Sequence, residues 1–197
     1  MAQTTSRDKQ VLLTKFLSRI SHRQNIGELF DQVVESVSGA VLVNRSKTIT
    51  DAHTLAVICN ILRKKKQASP SVKKWLKNLL RHGNLKVKSY AAEALGDLRV
   101  RSAAPELHQL FQDKTHPVYV RDNCAMALGL LHYHKAVRDL EKELDSRNRT
   151  IRLTAAFALG NIGLESARRP LKARLVIEQD HSVKDAIVAA LAKLTGK

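Results

Sequence analysis

Residues 151–162 read IRLTAAFALGNI. The same pattern stands at 87–98 (VKSYAAEALGDL), 120–131 (VRDNCAMALGLL) and 183–194 (VKDAIVAALAKL), at steps of 33, 31 and 32 residues. Each copy opens on a β-branched apolar residue followed by Lys or Arg, and closes on ALG or a relative of it. A fixed period near 32 marks a repeat array in which each unit is one supersecondary element. The spacing inside a copy is helical. Val87, Ala91, Ala94, Leu95 and Leu98 fall on one face of a 3.6-residue helix. The alanines let a neighbouring helix come close. The glycines at 96, 129 and 160 sit near the helix ends, where they are expected to ease chain reversal.

A second helix is expected after each of the first three copies, at 104–113, 136–145 and 167–180. Ser102 and Ser166 are in position to cap two of them, and Pro105 and Pro170 lie in first turns, where proline is tolerated. Upstream, 51–66 and 70–82 form a weaker pair, with Ser69 as cap and Pro70 at the start. The predicted fold is all-α, a right-handed α-solenoid of stacked antiparallel helix pairs. Its repeats lie near 51–83, 84–116, 117–148 and 149–181, and a closing helix spans 182–197. Residues 1–50 differ. The segments 8–20 and 26–37 read as amphipathic helices that cap the stack or form an accessory segment, and 38–50 reads as a loop or short extended stretch.

Blocks of the form V[KR]xxAAxALGxL followed by a second helix resemble HEAT repeats, in particular the short class found in phycobilisome lyases. The resemblance covers 87–197 well and 51–86 loosely. It implies the solenoid fold and is nearly silent about activity. Proteins of this class include bilin lyase subunits, phycobilisome-degradation factors, deoxyhypusine hydroxylase and adaptors; HEAT-like alkylpurine DNA glycosylases are more distant. The hydroxylase holds iron with His-Glu pairs, and this sequence has no His-Glu dipeptide.

Composition narrows the function. The chain has 197 residues and 44% hydrophobic content, which rules out disorder of the whole chain. Two cysteines make no disulfide framework. Lys15 and Arg19 break the apolar pattern of the first twenty residues, unlike a signal peptide, and no apolar run approaches a membrane span. A monomeric cytoplasmic protein is expected, without membrane insertion.

The net charge is +16, and it is uneven. No Asp or Glu stands between Asp51 and Glu93, a stretch that holds Arg63, Lys64, Lys65, Lys66, Lys73, Lys74, Lys77, Arg81, Lys86 and Lys88. Lys73, Lys77 and Arg81 share one helix face, and like charges at that spacing repel. Solvated faces usually mix signs, so an acid-free stretch points to a polyanion-binding surface. The candidate binding residues are Arg63, Lys64, Lys65, Lys66, Lys73, Lys77, Arg81, Arg99 and Arg101. Inter-helix turns at 63–66, 99–101, 132–135 and 168–169 are expected to line one edge as a basic ridge.

Other signals read as structure. Lys88, Arg121, Arg152 and Lys184 recur in each copy and are expected to pair with turn residues Asp113, Asp145 and Asp180 as a ladder. Cys59 and Cys124 fall on apolar faces and read as buried thiols. His132 and His134 are two ligands at most, a weak metal signal. No catalytic motif is present, so no catalytic, cofactor or metal residue is assigned. The expected function is a non-enzymatic scaffold whose basic surface binds an acidic protein or peptide. A nucleic-acid-binding HEAT-like protein, with or without glycosylase-like repair activity, is the alternative. A bilin lyase accessory subunit is the lesser one.

Overall fold

Short polar side chains set most of the helix starts. A computed structural model describes residues 5–22, 24–66 and 68–195, which hold twelve α-helices and no strand. The chain divides into two units, residues 1–94 and 95–197, with the boundary inside the sixth helix.

The first unit opens with α1 (Ser6–Ser21), α2 (Gly27–Ser36) and α3 (Gly39–Ser46). Thr5 and Asp8 form a reciprocal capping box on α1. Phe16 of α1 meets the Phe30 ring with 6.5 Å between centroids. The segment expected as a loop carries α3. Ser38 accepts a bond from Val41 N, and Leu42 and Val43 are buried, which is enough to seat two turns of helix. There follow α4 (Ala52–Lys64) and α5 (Pro70–Leu79). Asp51 caps α4, and Ser69 caps α5 with Pro70 in its first turn, as expected. Helices α1, α2 and α3 all pack on α4, and their apolar faces close a core around Phe16, Val33, Leu42, Ile58 and Leu62. The unit ends in α6 (Leu85–Asp97), which runs into the second.

The second unit continues with α7 (Ala104–Gln112), α8 (Val118–Leu130), α9 (Val137–Glu143), α10 (Arg149–Ile162), α11 (Arg168–Ile177) and α12 (His181–Leu194). First helices stack on first helices, α8 on α10 and α10 on α12, and each second helix lies against its neighbour in sequence. This is the solenoid that the repeats predict. The expected closing helix reaches 197; its last two residues lie outside the described ones.

Two expectations about the repeat need correction. Ser102 and Ser166 cap nothing. They sit inside 3₁₀ turns (Arg101–Ala103 and Glu165–Ala167) that lead directly into α7 and α11. The ALG glycines do not reverse the chain. A Cβ on Gly96 would stand 2.8 Å from the Ala127 backbone. On Gly129 it would stand 2.6 Å from Ala158, and on Gly160 2.6 Å from Ala190. Only a residue without a side chain lets the next first helix approach this closely. Reversal falls to the residue three places on. Arg99 and His132 adopt φ of 53° and 52°, and Gly163 adopts 79°. Lys66 holds the same place after α4, with φ 52°. Lys66 and Arg99 fit there despite the strain of a left-handed backbone, because a helix C-terminus carries partial negative charge.

Candidate binding surface

Seven of the nine candidate residues lie in the first unit. Lys64, at the end of α4, and Lys66, in the turn after it, are exposed. Lys73 is exposed on α5, Lys77 is half-buried one turn on, and Arg81 is exposed just past the helix. Lys74 and Lys86 are exposed as well. The other two sequence candidates of this unit have internal work. Arg63 forms an ion pair with Glu93 and donates to Asn60 Oδ1 at 3.0 Å. Lys65 is half-buried and donates to the carbonyl of Val34, in the last turn of α2. Partial burial pulls its ammonium below the ordinary lysine range.

In the second unit, Arg99 donates to the carbonyl of Leu130, the last residue of α8. Arg168 does the same at 3.3 Å to Leu194, the last residue of α12. These cations of the expected ridge therefore satisfy helix ends of the neighbouring repeat. Arg101, in its 3₁₀ turn, is exposed.

Two of the recurrent basic residues, Arg121 and Arg152, form structural links, but with other partners than expected. Arg121 is 8% exposed, donates to Phe111 O at 3.1 Å and pairs with Glu143 at 2.9 Å. Arg152 grips Glu178 with two bonds, of 2.8 and 2.9 Å. Glu178 is 1% exposed and also accepts from Arg174 at 2.9 Å and from the backbone of Gln179 and Asp180. The Arg152 bonds lead in holding its carboxyl far below the usual glutamate range, against the opposing effect of burial. The turn aspartates meet other partners, and Asp180 also pairs with Arg149 at 3.3 Å. Asp180 caps α12, Asp113 accepts from Thr115, and Asp145 pairs with Arg174 at 3.4 Å. Glu143 is 7% exposed and takes part in the link.

The remaining candidates behave as side chains of a scaffold. Cys59 and Cys124 are buried, and burial raises the Cys59 thiol well above its ordinary value. Among the described residues, no three His, Cys, Asp or Glu converge as a metal site. Tyr90 and Tyr119 are 42% and 44% exposed.

One concavity has no counterpart in the sequence reading. A cleft of about 780 Å³ opens in the first unit between α4, the start of α6 and the end of α1. Ile20, Ile26, Ala56 and Val57 contribute apolar lining, and His53, Asn60, Lys86 and Tyr90 contribute polar groups. His53, Ala56, Val57 and Asn60 fall on one stripe of α4. The sequence did hold that stripe, but its mixed polarity resembles an ordinary half-buried helix face.

The family model for HEAT repeats matches residues 72–153 and 116–192, more than half of the chain. The protein is a HEAT-repeat protein. No curated protein matches it in sequence. Among solved structures, the HEAT-repeat chain resembles one from the complex of CpcE and CpcF of phycocyanin lyase from Nostoc sp. PCC7120, with a TM-score of 0.69 and 21% identity. The match covers 82% of this chain and 66% of that one. It also resembles a designed armadillo repeat protein in complex with the peptide (KR)4, with a TM-score of 0.64 and 18% identity over 98% of this chain and 96% of that one. At these identities the shared property is the fold. No helix among the described residues is long and apolar enough to cross a membrane.

Proposed function

We propose that this HEAT-repeat protein is a non-enzymatic adaptor that binds an acidic protein or peptide through the basic surface of α4 and α5. The observation that carries this reading is an imbalance of partners. Arginines of the second unit, among them Arg121, Arg152 and Arg174, are met by carboxylates. Lys64, Lys66, Lys73 and Arg81 of the first unit point outward from a stretch without acids. Like charges held together on a helix cost a few tenths of a kcal/mol per pair, roughly 0.2–0.5, and an anionic partner recovers that cost. Lys77, half-buried on α5, completes the surface. Arg63 and Lys65 contribute field rather than contacts.

The experiment is a fluorescence-anisotropy titration with labelled hexaglutamate and with a labelled DNA duplex, at low and moderate salt. Tight binding of the peptide, weakened about tenfold or more in K64E/K66E/K73E, is expected. Binding of the duplex alone, with a steep salt dependence, would move the assignment to nucleic acid. No binding of either ligand at low salt would overturn the proposal.

A further inference from the structure

We infer that the cleft between α4 and α6 is the anchor site for that acidic partner, taking one large apolar side chain next to a carboxylate. The inference rests on the acidic-partner reading and adds a specificity pocket to it. The cleft opens beside a seam that closes differently from those of the other repeats. Counting back from the left-handed residues, the place of Gly96, Gly129 and Gly160 is held in α4 by Arg63. In the sealed seams even a Cβ would meet backbone at 2.6–2.8 Å. Arg63 bridges the seam in that register through the ion pair with Glu93 of α6, and it also donates to Asn60, which lines the cleft.

The space left between the helices suits a mixed ligand. Its volume, about 780 Å³, exceeds that of any single side chain and fits a peptide segment. Ala56 and Val57 offer an apolar surface, and Tyr90 offers a ring that is 42% exposed. Lys86 supplies a cation one turn before Tyr90 on the same face of α6. Asp51 also lines the cleft, and its carboxylate is already held by Thr54 N at 2.7 Å and Thr54 Oγ1 at 2.6 Å. A run of acids inside the cleft would meet that charge. One carboxylate beside Lys86 is therefore favoured, and further acids lie outside, on the exposed lysines.

Labelled peptides Gly-Gly-Xaa-Glu-Glu-Glu, with Xaa as Leu, Phe or Gly, test this by anisotropy. The Leu and Phe peptides should bind about tenfold more tightly than the Gly peptide, the scale of burying one large apolar side chain. Tyr90→Ala, at an exposed ring, and Val57→Trp, which fills the cleft, should each erase that preference and leave the Gly peptide unchanged. K64E/K66E/K73E should instead weaken all three equally. Equal binding of the three peptides by the unaltered protein would overturn the anchor site and leave the surface reading standing. A preference that survives both cleft variants would overturn it as well. Failure of every peptide to bind at low salt would remove the surface reading, and the anchor site with it.

Discussion

The repeat built from α10 and α11 and the one built from α4 and α5 share a helix pair and differ at two registers. In the former, Gly160 admits the Ala190 backbone, and Arg152 and Glu178 bury a charge pair. In the latter, Arg63 stands in the glycine register, and cations around the turn face water. The first arrangement spends its charges on holding neighbours together. The second keeps charge at the surface and leaves a gap between helices. The contrast teaches that one repeat consensus accommodates both a seam sealed by glycine and a seam bridged by an ion pair.

The comparison can be broken most forcefully at Glu178. Glu178→Gln leaves two arginines facing a group that no longer carries charge, and a loss of about 3–5 kcal/mol is expected in urea unfolding. The pH dependence has a defined sign. Because the folded carboxyl titrates far below its unfolded value near 4.5, its stabilisation is present above that value and is lost as pH falls. The gap between variant and parent should therefore narrow below about pH 4.5. Next comes the seam. Gly129→Ala forces a methyl against the Ala158 backbone and should cost about 1–3 kcal/mol, whereas Gly83→Ala, with nothing within 4 Å of a Cβ, should change stability by less than about 0.5 kcal/mol.

Smaller effects sharpen the account of the turns. Gly163→Ala should lose about 1 kcal/mol, and His132→Gly should gain up to about 1 kcal/mol in thermal unfolding, since both test one left-handed position in opposite directions. At the small end, K64E/K66E/K73E should leave the melting temperature nearly unchanged, each site contributing under about 0.5 kcal/mol, while weakening the salt-sensitive binding of hexaglutamate about tenfold or more. A large loss of stability would show that these lysines serve cohesion after all.

The solenoid was legible because its signals are local and repeated. Val87, Val120, Ile151 and Val183 mark the period, and the capping roles of Ser69 and Pro70 follow from their own neighbourhood. What escaped depends on distance in space. Nothing near Gly129 in the sequence announces Ala158. The ladder acids were misassigned because Asp113, Asp145 and Asp180 match the period, while Glu143 and Glu178 stand 22 and 26 residues from their arginines. Helix α3 was missed because GAVLVNRS is short and rich in β-branched residues, and burial of Leu42 and Val43 outweighs that weak propensity. Of the candidate surface, the exposed lysines were readable from charge alone. The internal roles of Lys65 and Arg99 were not, since a helix-end carbonyl leaves no mark in the sequence, and Arg63 meets Glu93 thirty residues away.

The glycine seam also bears on how arrays of this kind are lengthened. In α12 the place of Gly160 is taken by Ala192, which is exposed. A further helix pair grafted onto α12 at the spacing of the other seams would meet the Ala192 methyl with its backbone. An engineer extending the array at that spacing would change Ala192→Gly before adding a repeat.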